Sequence, residues 1–270
     1  MPSEFVEILD YEKATEMVEK SNKFSVGICS CRHEKMHVGE KDCDTPLETC
    51  TSFDSSAEFL IRNNFAREIS KSEMLDNLAI SKEHNLVLNA DNVKNNASFI
   101  CQCCSCCCNL LLGVSKHGYP NTIVTSTYIA EVDEEKCNGC GKCAKACPVN
   151  IIEMHAEDSF EIKRKNTPRV DEDICLGCGV CSLNCNTEAI KLTKRKKRVI
   201  HPENTYERVI LQSLERGNLQ NFIFDNPNKS SHNFLRAVVG GFLRLSPVKK
   251  GLMSYALNSD FLHNLTNKKN

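Results

Sequence analysis

Residues 137–148 read CNGCGKCAKACP, and residues 175–186 read CLGCGVCSLNCN. Both runs place four cysteines at the same offsets: Cys137, Cys140, Cys143 and Cys147 in the first, Cys175, Cys178, Cys181 and Cys185 in the second. Three thiols at two-residue gaps can wrap one corner of a metal cluster. The fourth lies too far along the chain to close the same site. Gly139, Gly141, Gly177 and Gly179 fall inside the loops, where the backbone must turn tightly and offer N–H groups to sulfur. A short β-like segment with acidic residues precedes each run (residues 128–133 and 169–173), and an apolar stretch follows it (149–152 and 189–192). The two halves therefore form an internal repeat with a period near 38 residues. A pair of zinc sites or a disulfide framework has little need of this repeated spacing.

The first run, with Pro148 after its fourth cysteine, resembles the C-x2-C-x2-C-x3-C-P signature of the bacterial two-cluster ferredoxin family residue for residue. The second departs only in having Asn186 at the proline position, which removes no ligand. The resemblance covers residues 127–194, about a quarter of the chain. It implies a two-fold pseudosymmetric β-α-β repeat in which the fourth cysteine of each run ligates the other cluster. Carried over residue by residue, it assigns one [4Fe–4S] cluster to Cys137, Cys140, Cys143 and Cys185. The second goes to Cys175, Cys178, Cys181 and Cys147.

The remaining ten cysteines lie between residues 29 and 108. Cys29 and Cys31 open the motif CSCRH and are followed by Cys43 and Cys50; Cys101, Cys103, Cys104, Cys106, Cys107 and Cys108 crowd into CQCCSCCC. Cysteine is a common buried residue, but packing alone would not select six in eight positions. Cys29, Cys31, Cys43 and Cys50 supply four thiolates, enough for a further iron–sulfur cluster or a tetrahedral zinc ion. The 101–108 run could complete that site, hold its own, or act as a redox-active thiol patch. Its vicinal pairs loosely resemble the cysteine-rich domains of heterodisulfide reductases, although Ser105 stands where that family has glycine. The whole arrangement resembles a set of cysteine-rich 4Fe–4S ferredoxin-domain proteins of anaerobes, a likeness that names no reaction. Arg32 reads either as a charge partner of a cluster thiolate or as a surface residue. His33 reads as a ligand or proton carrier, or more simply as a surface ion pair with Glu34 or Glu40.

Periodicity places helices at 11–20, 55–65, 70–83 and 106–116, with Ser70 and Glu73 as a capping box and Gly118 as a stop. Strands are expected at 24–29, 86–89 and 98–101, the last two flanking an Asn-rich turn. Helices followed by a hairpin suggest a winged-helix layout. Further helices are expected at 204–216, 231–245 and 251–257. The fold class is thus α+β: a cysteine-rich mixed domain (1–126), a dicluster domain (127–194), and a basic linker with a helical segment (195–270).

The chain carries 34 Lys and Arg against 35 Asp and Glu, but unevenly: residues 1–193 hold 20 against 30, residues 194–270 hold 14 against 5. That layout suits steered docking to a charged redox partner, or simple intramolecular neutralisation. The pentapeptide Lys194-Arg195-Lys196-Lys197-Arg198 reads first as a solvated linker, and secondarily as a contact for nucleic acid or an anionic membrane. The net acidity of the N-terminal region disfavours nucleic acid. The apolar stretch 234–243 is too short to span a bilayer but could lie on a partner or a membrane surface. Neither a signal peptide nor a transmembrane run is expected, so eighteen cysteines point to a reducing, cytoplasmic setting and metal or redox chemistry. No dinucleotide fingerprint, P-loop or nucleophile elbow is found. The reading is an iron–sulfur electron-transfer protein or subunit that serves partner oxidoreductases. A thiol or disulfide reductase built on the N-terminal thiols and an iron–sulfur redox sensor are the alternatives.

Overall fold

Successive residues of a strand face opposite sides of a sheet, and here the two sides have different partners. Leu88, Ala90 and Ile100 pack into a core with the helices, whereas Val87 packs into a second core with the repeat that follows. The computed structural model describes residues 6–9, 11–93, 95–118, 125–156, 166–196, 202–226 and 228–252. They fall into two compact units. The first holds the described residues of 5–91 and 96–200, the second those of 92–95 and 201–270.

In the first unit, β1 (Val6–Leu9), β2 (Phe24–Ile28), β3 (Glu48–Phe53), β4 (Ala66–Ile69), β5 (Val87–Asp91) and β6 (Phe99–Cys103) form one antiparallel sheet in the order β1-β5-β6-β3-β2-β4. Helices α1 (Tyr11–Lys20) and α4 (Lys71–Glu83) contribute Ala14, Val18, Met74 and Leu78 to the core on one face, beside Phe24, Phe53 and Ile100. Burying each large side chain there contributes about 1.5–3 kcal/mol. Helix α3 (Asp54–Arg62) buries Ala57. Helix α2 (Ser30–His37) follows β2, and α5 (Asn109–His117) follows β6.

Several sequence expectations meet the structure directly. Ser70 caps α4 by accepting from the Glu73 N–H at 3.1 Å, and Gly118 takes the left-handed conformation that ends α5. The capping box is only half made, because the Glu73 carboxylate turns to Arg67 at 2.6 Å. β5 and β6 pair as the expected hairpin, closed where Asp91 accepts from the Ser98 N–H at 2.6 Å. The winged-helix reading is corrected: that hairpin lies inside the six-stranded sheet, with β1 on one side and β3 on the other. The helix expected from residue 106 starts at Asn109, because residues 104–108 form a turn.

The repeat follows in the same unit. Its elements are β7 (Tyr128–Val132), α6 (Lys142–Ala146), β8 (Ile152–Ala156), β9 (Asn166–Val170), α7 (Val180–Leu183) and β10 (Ile190–Lys194). β7 pairs with β10 and β8 with β9, both antiparallel. Each half therefore ends on the strand that opens the other half. Leu111 and Val114 of α5 share a core with Ala130, Val149, Ile152, Val180 and Ile190 of the repeat.

The second unit is helical: α8 (Thr205–Glu215), α9 (Leu219–Ile223), α10 (Ser230–Leu243) and α11 (Ser246–Leu252). Asn204 caps α8 by accepting from the Glu207 N–H at 3.0 Å. Leu214, Leu219 and Leu243 form its small core with Ile210, Val239 and Val248, while Phe234, Val238 and Phe242 stay exposed. The helix expected at 251–257 corresponds to the end of α11 at Leu252, and its remainder lies outside the described residues. No described helix is long and apolar enough to cross a membrane.

Candidate metal centres

The strand exchange in the repeat decides where each fourth cysteine goes. Cys185 lies just before β10, which pairs with β7, the strand that leads into the first run. It accordingly lines a cavity together with Cys137, Cys140 and Cys143, beside Val132, Met154 and Ile190. Cys147 lies just before β8, which pairs with β9, the strand that leads into the second run. It lines a second cavity with Cys175, Cys178 and Cys181, beside Ala130, Ile152 and Leu192.

The loops that carry these thiols lean reciprocally on the opposite half. Gly139, at φ +72°, sits where a Cβ would approach the Asn166 carbonyl oxygen to 2.6 Å, at the start of β9. Gly177, at φ +67°, sits where a Cβ would come within 2.1 Å of the Tyr128 carbonyl oxygen, at the start of β7. Only glycine tolerates both the positive φ and the approach. The same turn recurs on each side: Asp133 accepts from the Glu135 and Lys136 N–H groups, and Asp171 from those of Asp173 and Ile174. The Gly139 N–H donates to the Cys137 Sγ at 3.4 Å.

Electrostatics differ between the thiols. Burial pushes the Cys178 thiol up to about 12 and raises Cys181 and Cys143 as well. Burial also works against ionisation of Cys185. It is outweighed by the Thr187 hydroxyl and by the backbone N–H groups of Ile190, Ala189 and Thr187, so this thiol is held below its usual range. Arg195, read from the sequence as part of a solvated linker, is half-buried beside the second cavity. Its Nε donates to the Tyr128 oxygen at 2.9 Å and the Ser126 oxygen at 3.3 Å, and its Nη2 donates to the Cys175 oxygen.

Residues 136–189 match the family described as 4Fe-4S dicluster domain. This part of the chain is a 4Fe-4S dicluster domain. Two curated relatives match over short stretches. The chain is 53% identical over 30 residues to the coenzyme F420-dependent sulfite reductase of Methanocaldococcus jannaschii, a stretch that is 11% of this chain and 5% of that protein. It is 42% identical over 31 residues to ferredoxin-3 of Rhodobacter capsulatus, 12% of this chain and 31% of that one. The chain thus spans less than a third of the length of either relative.

Outside the dicluster domain, the structure divides the ten N-terminal cysteines in a way their order does not suggest. Cys43 does not join Cys29, Cys31 and Cys50. Its Sγ lies 3.8 Å from that of Cys104, and Cys43, Cys104, Cys106 and Cys107 keep all four sulfurs within 4.8 Å of one another. The other six line up as neighbours: Cys29 faces Cys31, Cys31 faces Cys108, Cys108 faces Cys103, Cys103 faces Cys101, and Cys101 faces Cys50. The period-two rule explains half of this. Cys101 and Cys103 project from one face of β6, and Cys50 is the register partner of Cys101 on β3, while Gln102 between them faces α4 and accepts from Ser81. Within the string Cys31 and Cys101 are held well below the usual thiol range, because neighbouring thiols donate to them (Cys108 and Cys29 to the first, Cys103 and Cys50 to the second). Their partners Cys29, Cys103 and Cys50 are raised in turn.

Arg32 stands between the two groups and is only 1% exposed. Its Nε donates to the Cys104 Sγ at 3.4 Å, Nη1 donates to the Pro46 oxygen at 3.1 Å and to the Thr49 hydroxyl, and Nη2 donates to the Gln102 oxygen. Of the two readings of Arg32, the structure places it against thiols and not at the surface. His33 is exposed and meets His37, Nε2 to Nε2 at 3.0 Å. The surface ion pair expected for it is corrected: Glu40 pairs with Lys35, and Glu34 accepts from Asn109. The signal that could have revealed Arg32's role was its place two residues into a helix that starts between two thiols.

Proposed function

We propose that this protein relays single electrons between redox partner proteins through two [4Fe–4S] clusters. One is held by Cys137, Cys140, Cys143 and Cys185, the other by Cys147, Cys175, Cys178 and Cys181. The observation that carries this reading is the pair of four-cysteine cavities, each drawing its fourth thiol from the opposite run. The match to the 4Fe-4S dicluster domain supports iron–sulfur electron transfer in this part of the chain. The two relatives, a ferredoxin and a sulfite reductase, are redox proteins by name. Bound clusters would supply reversible one-electron chemistry, with potentials set by burial, charge and hydrogen bonds to sulfur.

The chain's own residues fit that group. Four thiols surround each cavity, apolar side chains close it, and glycine loops leave room for backbone N–H groups to approach sulfur. Ala130 and Leu192 lie beside the second set of thiols, all four of them buried, and Val132, Met154 and Ile190 beside the first, where Cys140 is exposed.

The test is anaerobic iron and acid-labile sulfide quantitation on the full chain, with low-temperature EPR of the reduced protein and stoichiometric re-oxidation by an electron acceptor. The reading expects a spin-coupled two-cluster spectrum and re-oxidation by two electrons from the dicluster domain. A preparation with intact secondary structure that takes up no iron under cluster-reconstitution conditions would overturn it.

A further inference from the structure

We infer that Cys43, Cys104, Cys106 and Cys107 form a mononuclear tetrathiolate site for one zinc ion, separate from any iron–sulfur cluster of the chain. This inference does not rest on the electron-transfer reading and goes beyond it. Its first support is distance. A single zinc ion bound tetrahedrally at about 2.3 Å by four thiolates sets its sulfurs about 3.8 Å apart. Here the Cys43 and Cys104 sulfurs are 3.8 Å apart, those of Cys106 and Cys107 3.5 Å, and all four lie within 4.8 Å of one another. A cubane gives each thiolate its own iron and must hold the sulfurs further apart. Among the described residues, no other group of three or more Cys, His, Asp or Glu ligand atoms is this close, and that includes the two cavities of the dicluster domain.

The surroundings supply a second support. Cys104 and Cys107 are buried against Leu86, and Cys43 and Cys106 are half-buried, so the set is enclosed yet reachable by an ion. Four thiolates on a divalent ion leave two excess negative charges. Arg32 is the buried cation beside them, and its Nε–H points at the Cys104 sulfur. Hydrogen bonds of this kind from outer residues orient metal ligands and offset their charge. All four valences are filled by protein, which marks a structural ion and leaves no open position for substrate. The ion would tie the loop at Cys43 to the 104–107 turn, sixty residues downstream in sequence.

The experiment uses the full chain purified anaerobically, with zinc, iron and sulfide measured together. The inference expects one zinc per chain and a zinc X-ray absorption edge fitted by four sulfurs at about 2.3 Å. Cys43→Ser and Cys107→Ser should each lose the zinc, while iron and sulfide per chain stay unchanged. Cys137→Ser should show the reverse pattern. A wild-type chain that holds no zinc even after incubation with the free ion would overturn the inference, as would loss of iron in the Cys43 or Cys107 variants. Should both variants fail to fold, the absorption edge of the wild-type protein decides alone: any shell other than four sulfurs rejects the site.

Discussion

The guanidinium of Arg32 donates its Nε–H to the sulfur of Cys104 at 3.4 Å, with both residues buried and seventy-two positions apart in sequence. Among the described residues no carboxylate shares this contact. Sulfur is therefore the counter-charge in contact with it, and the other guanidinium nitrogens donate to the Thr49 hydroxyl and to the backbone at Pro46 and Gln102. Replacing Arg32 with Met should weaken zinc retention roughly 10- to 100-fold, the usual effect of removing an outer partner of a metal ligand. Arg32→Lys keeps the charge but not the planar fork, and should fall between. Competition with a metallochromic chelator reads both; equal retention in wild type and the Met variant would refute the role.

The crossed supply of thiols makes a pairwise prediction. Cys185→Ser should disturb the same cluster signal as Cys140→Ser, and Cys147→Ser the same signal as Cys178→Ser. EPR of the four variants, reduced under identical conditions, sorts them into two pairs. Pairing by run, Cys147 with Cys140, would reject the crossed assignment.

Gly177→Ala should abolish the second cluster, since a Cβ would lie 2.1 Å from the Tyr128 oxygen and 2.3 Å from the Ser126 Oγ. The control is Gly39→Ala. That residue is also at positive φ (+73°), but a Cβ there meets nothing within 4 Å, so its cost is only the left-handed backbone, about 1–2 kcal/mol. Iron per chain should fall in the first variant and hold in the second.

Arg195→Gln removes a positive charge whose Nη2 bonds the Cys175 carbonyl. A nearby cation stabilises the more negative, reduced state of a cluster. Its loss should therefore lower the potential of the cluster held by Cys175 by tens of millivolts, and leave the other nearly unchanged. Anaerobic redox titration followed by EPR separates the two.

Leu111 of α5 is fully buried in the core that the N-terminal sheet shares with the repeat. Leu111→Ala should destabilise the first unit by about 2–5 kcal/mol through the lost contacts and the cavity left behind. Thermal unfolding, compared with Leu245→Ala at an exposed position, measures the difference.

How far the sequence can be read depends on the range of the forces that set each feature. The dicluster cysteines, the capping of α4 by Ser70 and the stop at Gly118 are local devices, written in adjacent residues and legible there. The helix at 11–20 was equally plain from its apolar stripe. β1, β3 and β4 were not: strands of four to six residues with mixed composition acquire their identity from the partners they meet. Cys43 shows the same limit. In sequence it sits between Cys31 and Cys50, but the sheet carries Cys50 to the register partner of Cys101, while the loop before β3 leaves Cys43 beside Cys104. Arg195 reads as one cation of a solvated run because its acceptors are carbonyls at Ser126, Tyr128, Glu172 and Cys175, which carry no sequence signature.

Cys185 shares its cavity with three thiols from the opposite run, and this sets a timetable for biosynthesis. A ribosome that has released the first run has delivered only Cys137, Cys140 and Cys143 to that cavity. The set closes only when residue 185 has emerged and β10 has paired with β7. Cys147 waits as a single thiol of the other cavity until residues 175–181 have emerged. The second cavity therefore has all four of its thiols once residue 181 has emerged, whereas the first stays a three-thiol site until Cys185 follows and the whole segment is free to fold.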